Sequence, residues 1–218
     1  MNLTTLIKEC QDAVGVASDG LPGIQTWTAI HARLVPNAHA TQEIAATEDP
    51  VDDRSEKNIA TLHPRVQPYA RALIHAATEH GWRFKITSGL RTYAEQDTLY
   101  TYGRTVMNPE GPLPGKPRGA TVTNATGGFS NHNFGLAFDV TLFGSFDTDG
   151  KTPVWDSPLY KALAALGTQM GLEWGGNWTT STDQPHYQLR PQWAKGMTEK
   201  AMLTELRRRK TAGIDFFA

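Results

Sequence analysis

Cysteine is nearly absent: Cys10 stands alone in 218 residues, which excludes an internal disulfide framework and a zinc site built on several thiolates. No stretch approaches about eighteen consecutive apolar residues, so no membrane-spanning helix is expected. The leading MNLTTLIKECQD lacks the basic-then-apolar order of a signal peptide, and synthesis in the cytoplasm is the expectation. An excess of charge of one sign is lacking too. The 21 Lys and Arg against 22 Asp and Glu leave a formal net charge of -1, which argues against gripping nucleic acid with the whole surface. A His-Glu-x-x-His pair is also missing, and with it the helical zinc-binding motif. What is present, 39% hydrophobic and 20% charged residues, is enough for a substantial core.

Residues 1–35 read as a small helical module. Leu3, Leu6, Ile7, Cys10 and Val14 fall at helical spacing, and Gly15 is placed to end that helix. The turn-forming stretch Asp19-Gly20-Leu21-Pro22-Gly23 precedes a second short helix with Trp27, Ile30 and Leu34 on one side. Residues 36–58 read as a linker, since the 25 residues from Pro36 to Ala60 hold six acidic groups against Arg54 and Lys57.

The remainder, 59–218, reads as the main domain. A helix is expected from Pro64 or Pro68 to His80, with Val66, Ala70, Leu73, Ile74 and Ala77 inward and Gly81 as its stop. Trp82, Phe84 and Ile86 alternate with polar residues in a half-buried strand, and Thr92 with Glu95 forms a capping box for a helix to about Tyr102. Ten of the 26 residues from Gly103 to Gly128 are Gly or Pro, the composition of a long exposed loop. Leu136, Phe138, Val140 and Leu142 alternate with Ala137, Asp139 and Thr141 in a second strand. Ser157-Pro158 opens a helix with Leu159, Leu163, Leu166 and Met170 on one side. His186 to Arg190 alternates as a last short strand, and Thr198 to Lys210 reads as a helix with Met202 and Leu206 inward. Helices and strands mixed without a repeating unit point to an α+β fold.

Five of the seven histidines, His31, His39, His63, His75 and His80, read as solvated or packed side chains. His132 differs: it lies in the polar turn Gly128-Phe129-Ser130-Asn131-His132-Asn133-Phe134-Gly135, which feeds the strand carrying Asp139. His186 follows Asp183-Gln184-Pro185. A lone carboxylate in an apolar strand is costly unless paired, hydrogen-bonded or metal-bound. Zinc takes imidazole nitrogen and carboxylate oxygen, with three protein ligands and a fourth position for water. His132 and Asp139 converge only if the turn folds His132 back over the strand, with His186 entering from a neighbouring strand. From residue types alone, metal binding and chance spacing both stay open.

Ser130-x-His132-x-x-Gly135-x-Ala137-x-Asp139, followed by Asp183-x-Pro185-His186, resembles the signature of the zinc peptidases that include D-alanyl-D-alanine carboxypeptidases and dipeptidases. It is more similar to the L-alanyl-D-glutamate endopeptidases of bacteriophage endolysins and bacterial cell-wall enzymes. Ser88-Gly89-Leu90-Arg91-Thr92, Glu95-Gln96, Leu99-Tyr100, Gly103-Arg104, Val122-Thr123-Asn124-Ala125 and Trp174-Gly175-Gly176-x-Trp178 also match, so the resemblance spans about residues 60–190. It implies a central antiparallel sheet with flanking helices and one zinc ion per chain held by His132, Asp139 and His186. It further implies Asp183 as the catalytic acid/base and Arg91 beside the scissile carbonyl. Trp174 and Trp178 are candidate substrate contacts, with plain packing as the alternative. Asn177 departs from the aspartate often found there in related endopeptidases, which bears on substrate fit. Residues 1–35 resemble the leading half of a three-helix peptidoglycan-binding module through Gln11, Gly15-Val16, Asp19-Gly20, Gly23, Thr26 and Ala29.

The function implied is a monomeric zinc endopeptidase that cuts the peptidoglycan stem, with no nucleic-acid partner and no stable membrane insertion. The setting implied is that of an endolysin, made in the host cytoplasm and acting on the wall after release. A D-alanyl-D-alanine carboxypeptidase and a non-catalytic, zinc-containing wall-binding protein are the alternatives. Two further stretches have simple readings: Asp147-Thr148-Asp149-Gly150-Lys151 as a turn rather than a calcium loop, and Arg207-Arg208-Arg209-Lys210 as a solvated helix end.

Overall fold

The structure, a computed structural model, describes residues 2–18, 20, 26–27, 29–30, 33, 51–107, 121–145, 152–155 and 157–218. The chain divides into two units, Met1–Pro50 and Val51–Ala218. In the first, helix α1 (Leu3–Val14) begins where the Asn2 side chain accepts the Thr5 N–H and ends at Gly15, whose φ of 76° is left-handed. Gln11 is buried and ties α1 to the following segment: its Oε1 accepts the Gly20 N–H at 2.8 Å and its Nε2 donates to Thr26 Oγ1 at 3.0 Å. Helical backbone recurs at 26–27, 29–30 and 33. Trp27, expected on an inward stripe, is 56% exposed. Leu34, His31, His39 and residues 36–50 of the expected linker lie outside the described residues, as do 108–120 of the Gly/Pro-rich loop and Asp147 to Lys151.

The second unit starts inside the stretch expected as linker. Helix α2 (Asp53–Ala60) uses acids that composition assigned to a solvated spacer: the Asp52 carboxylate accepts the N–H groups of Arg54 and Ser55, and Asp53 and Glu56 occupy the first turn. Acidic groups there cap orphan N–H groups and suit the helix dipole. Ser55 Oγ accepts the Ile86 N–H at 2.9 Å and Asn58 Nδ2 donates to the Ile86 carbonyl at 2.8 Å, so α2 satisfies the edge of strand β1 (Trp82–Ser88). Between them runs α3 (Gln67–Glu79), burying Ala70, Leu73, Ile74 and Ala77. The Thr92–Glu95 capping box forms in both directions and opens α4 (Tyr93–Thr101).

Strand β2 (Ala137–Ser145), the short β3 (Glu173–Trp174) and β4 (His186–Gln188) complete an antiparallel sheet of order β1-β2-β4-β3. The fold is α+β. Helix α5 (Leu159–Gln169) packs with α3 over the face that carries Phe138, Val140, Leu142 and Tyr187. The buried side of α5 centres on Tyr160, Leu163, Ala164 and Gly167, a rotation from the expected Leu159, Leu163, Leu166 and Met170. Tyr160 can sit fully inside because its hydroxyl accepts the Leu142 N–H and donates to the Val154 carbonyl, at 3.1 and 3.0 Å.

Helix α6 (Glu199–Ala212) buries Met202, Leu203 and Leu206. Its basic end is not merely solvated: Arg207 stacks over Phe129, Arg209 over Trp193, and Lys210 donates to the Asn133 carbonyl at 3.1 Å. Among the described residues no helix is long and apolar enough to cross a membrane.

Candidate metal centre

The register of the sheet brings the chemistry together. Asp139 on β2 pairs with Ser88 of β1 on one side and His186 of β4 on the other, and directly opposed residues share a face. A register shift between Ile86 and Ser88 marks a bulge, and both Thr87 and Ser88 line the same cleft as Asp139. His132 arrives from a short 3-10 turn (Asn131–Phe134) that Ser130 caps and Gly135 closes. Gly135 has φ 67°, and a Cβ there would stand 2.8 Å from the His63 backbone nitrogen, so only glycine makes this corner. The corner folds His132 back over β2, the condition on which convergence depended.

Three atoms meet there. His132 Nε2 lies 3.2 Å from Asp139 Oδ1, His186 Nδ1 lies 3.3 Å from the same oxygen, and the two nitrogens are 3.3 Å apart. Both histidines are buried. Their outer nitrogens are engaged as donors. His132 Nδ1 faces the Gly89 carbonyl at 2.8 Å, which only accepts. His186 Nε2 faces Gln188 Oε1 at 3.0 Å, while Gln188 Nε2 donates to Glu173 Oε2 at 2.7 Å, which fixes the amide's orientation.

With both outer hydrogens in place, the two inner nitrogens and a carboxylate oxygen converge on one point. That arrangement demands a positive charge at its centre. A zinc ion about 2.0–2.1 Å from each ligand in a tetrahedral site spaces the ligand atoms about 3.3 Å apart. These residues fit such an ion, and they are the metal-ligating cluster found among the described residues.

Charges around the site reinforce it. Burial alone would raise the Asp139 carboxyl, but the charges and hydrogen bonds of His132 and His186 hold it well below the usual carboxylate range. Burial pushes His132 down, whereas Asp139 and Gln188 outweigh burial at His186 and push it up. Arg91 donates to Asp139 Oδ2 at 2.9 Å, to Gln96 Oε1 at 3.0 Å and to Ser88 Oγ at 3.3 Å. It therefore clamps the oxygen of Asp139 that points away from the two histidines.

Asp183 stands in the turn before β4, its N–H bonded to the Gly175 carbonyl at 3.0 Å and its carbonyl accepting the His186 N–H. A Cβ on Gly175 would meet the Asp183 carbonyl oxygen at 2.6 Å, so this glycine lets the turn close. Burial first, and then the negative charge of Asp139, push the Asp183 carboxyl up. A proton-binding group of that kind beside a metal site suits acid/base work.

The tryptophans separate. Trp178 lines the cleft with its ring 4.8 Å from that of His186. Trp174 packs against the core, gives its Nε1–H to the Gln184 carbonyl at 2.7 Å and is absent from the cleft wall. Of the other histidines of this unit, His63 pairs with Asp215 and His80 with the Ala76 carbonyl.

Sequence reading gave no site role to Gln188, Gln96 and Asn131. Each is a buried amide, and a Gln two positions after a candidate ligand on the same strand face was the available signal for the first. Ligands and neighbours line an open cleft of about 1990 Å³, with 121–126 and 177–183, joined by Asn124 and Ser181, among its lining. That is larger than a typical small-molecule pocket.

A fold of this kind, with a His–Asp–His set and an adjacent carboxylate in an open cleft, defines a small α+β peptidase. Residues 123–189 match the family model described as D-alanyl-D-alanine carboxypeptidase. The peptidoglycan L-alanyl-D-glutamate endopeptidase CwlK of Bacillus subtilis (strain 168) is 36% identical over 139 residues, covering 60% of this chain and 74% of the relative. The chain belongs to this peptidase family. Among solved structures, the Serratia marcescens L-Ala D-Glu endopeptidase ChiX superposes with a TM-score of 0.45 at 24% identity, covering 63% of this chain and 87% of that one. VanYB in complex with D-alanine-D-alanine gives 0.43 at 20% identity, covering 71% and 80%.

Proposed function

We propose that this peptidase is a zinc-dependent endopeptidase that hydrolyses the peptide stem of peptidoglycan between L-alanine and D-glutamate. The observation that carries the reading is the meeting of His132 Nε2, Asp139 Oδ1 and His186 Nδ1 within 3.2–3.3 Å of one another, with Asp183 in the same cleft. The choice of bond rests on the named activity of the Bacillus relative. It also suits an open cleft of about 1990 Å³, because an endopeptidase must hold chain on both sides of the bond.

In this reading His132, Asp139 and His186 hold one zinc ion, which when bound lowers the pKa of a water and polarises the peptide carbonyl. Asp183 takes the proton of the attacking water and passes it to the leaving amine. Arg91 holds Asp139 in register and supplies positive charge beside the oxygen that becomes negative. Trp178 lines the substrate path. The chain acts as a monomer, with residues 1–35 adding affinity for the wall. Its setting is that of an endolysin, made in the host cytoplasm and admitted to the wall when a separate protein opens the membrane.

Digestion of purified peptidoglycan, read by mass spectrometry, tests the bond. L-alanine left on muramic acid and a new amino group on D-glutamate are expected. Released D-alanine with the L-alanyl-D-glutamate bond intact would establish a carboxypeptidase instead, and absence of new ends with zinc bound would establish a non-catalytic binder. Metal analysis of the purified protein beside His132→Ala and His186→Ala tests the ligands, since full occupancy in both variants would exclude the assignment.

A further inference from the structure

Behind His186, on the side away from Asp139, lies a closed ring of five polar side chains that the proposed chemistry does not use. Gln188 Oε1 accepts from His186 Nε2 at 3.0 Å and from Asn131 Nδ2 at 2.6 Å. Gln188 Nε2 donates to Glu173 Oε2 at 2.7 Å, its cross-strand partner on β3. Arg190 joins Glu173 to Glu199, donating to Glu173 Oε1 at 2.5 Å and Glu199 Oε2 at 2.8 Å. Asn131 closes the ring by donating to Glu199 Oε1. Four segments are thereby bound to one another: the turn that carries His132, β3, β4 with Arg190 two residues past it, and the start of α6.

The ring dictates which atom of Gln188 faces the imidazole. Glu173 and Glu199 carry only acceptors in their ionised form, and Arg190 donates to both. Gln188 must then point its amide N–H at Glu173 and its carbonyl oxygen at His186 and Asn131. A flipped amide would set N–H against the Asn131 amide and oxygen against the Glu173 carboxylate. Buried as it is, at 2% exposure, Gln188 has no solvent to compensate such a mismatch.

We propose that Gln188 is the positioning residue of the metal centre: it accepts the Nε2 hydrogen of His186 and thereby presents Nδ1, rather than Nε2, as the ligand atom. The proposal rests on the reading of His132, Asp139 and His186 as a metal site. His132 has the same device in a different material, the main-chain carbonyl of Gly89. At His186 the outer acceptor is a side chain, so it can be changed. Partners of this kind orient a ligating histidine, and losing one costs about 10- to 100-fold in metal affinity.

The test measures zinc affinity of the full chain by chelator competition, with urea denaturation alongside, for wild type, His186→Ala, Gln188→Leu and the exchange Gln188→Glu/Glu173→Gln. The exchange keeps an oxygen facing His186, reverses the 173–188 hydrogen bond and conserves charge. Gln188→Leu is expected to lose about 10- to 100-fold in zinc affinity, and the exchange to stay within about threefold of wild type. Unchanged affinity in Gln188→Leu would overturn the proposal alone. So would an exchange variant as weak as Gln188→Leu at an unaltered unfolding midpoint.

A wild type without zinc affinity, or His186→Ala binding as tightly as wild type, would overturn the metal centre and this proposal with it. One measurement needs no variant. Nitrogen NMR of wild type loaded with a spin-active cadmium isotope is expected to show the metal coupled to His186 Nδ1 and a slowly exchanging Nε2–H. Coupling to Nε2 would overturn the proposal even if Gln188→Leu failed to fold.

Discussion

His132 gives its Nδ1 hydrogen to the carbonyl oxygen of Gly89, 2.8 Å away on the segment that links β1 to α4. Gly89 has no room for a side chain: a Cβ would stand 2.4 Å from Thr61 Oγ1 and 2.5 Å from the Asn58 carbonyl oxygen. Gly89→Ala must therefore shift this segment away from α2 and carry the carbonyl with it. Overpacking of this kind costs about 1–3 kcal/mol. The variant should melt at lower temperature and bind zinc more weakly than wild type. Unchanged zinc affinity together with a lowered melting temperature would mean that the Gly89 carbonyl does not orient His132.

Asp183→Asn should keep its zinc and lose about 10²- to 10⁴-fold in turnover, because an amide matches the carboxylate in shape but cannot carry the proton. Burial and the charge of Asp139 already favour the protonated form of Asp183, so the neutral amide should fold with no loss of stability. Turnover on purified peptidoglycan, with metal content measured on the same sample, is the check. Near-normal turnover at full metal content would remove Asp183 from the mechanism.

How far the sequence carried this picture depends on where each hydrogen bond goes. The period-two alternation around Asp139 and the polar turn before it were legible, whereas the convergence of His132 on Asp139 stayed conditional until the Gly135 corner was seen. The acids at 52, 53 and 56 were read by composition as a spacer, because a local composition says nothing of the N–H groups they cap. Tyr160 was passed over on α5 since its hydroxyl partners, Leu142 and Val154, lie on other segments. The ring behind His186 was illegible for the same reason: its members come from four segments, and none is unusual alone. Arg207 to Lys210 looked solvated because stacking on Phe129 and Trp193 is a property of the tertiary fold.

Deleting residues 1–50 should leave a folded peptidase, since the chain divides at Pro50 and α2 caps β1 from within the second unit. Hydrolysis of a short soluble stem peptide should match the full chain, while action on intact sacculi falls. Equal loss on both substrates would make the first unit structural rather than targeting.

Glu205 supplies a pH dependence whose sign is fixed. Hydrogen bonds from Arg208, and then Arg209, pull its carboxyl from the ordinary value of 4.5 to about 2. Since the folded value is the lower one, its contribution to stability is complete above about 4.5 and fades as pH falls toward about 2. The difference in urea midpoint between wild type and Glu205→Gln should be constant near neutrality and shrink through that acid window. A difference that grows on acidification would contradict the assignment.

Adjacent arginines on α6 provide a matched pair. Arg209 has a side chain 13% exposed, stacks on Trp193 with its guanidinium carbon 4.4 Å from the ring centre, and bonds Glu205 at 2.9 Å. It also donates to the Asp215 carbonyl at 3.1 Å and the Ala218 oxygen at 2.7 Å, tying the helix to the final turn. Arg208 is 57% exposed and bonds only Glu205 among the described residues. Replacing either by Met keeps most of the stem and removes one charge, so long-range electrostatics cancel in the comparison. Arg209 adds charge-assisted bonds to the Asp215 and Ala218 oxygens and the Trp193 contact to the Glu205 pair it shares with Arg208, and an exposed helix pair by itself is worth under about 1 kcal/mol. Arg209→Met should therefore lower the urea midpoint more than Arg208→Met. Equal losses would show that the carbonyl bonds and the Trp193 contact do not stabilise the fold.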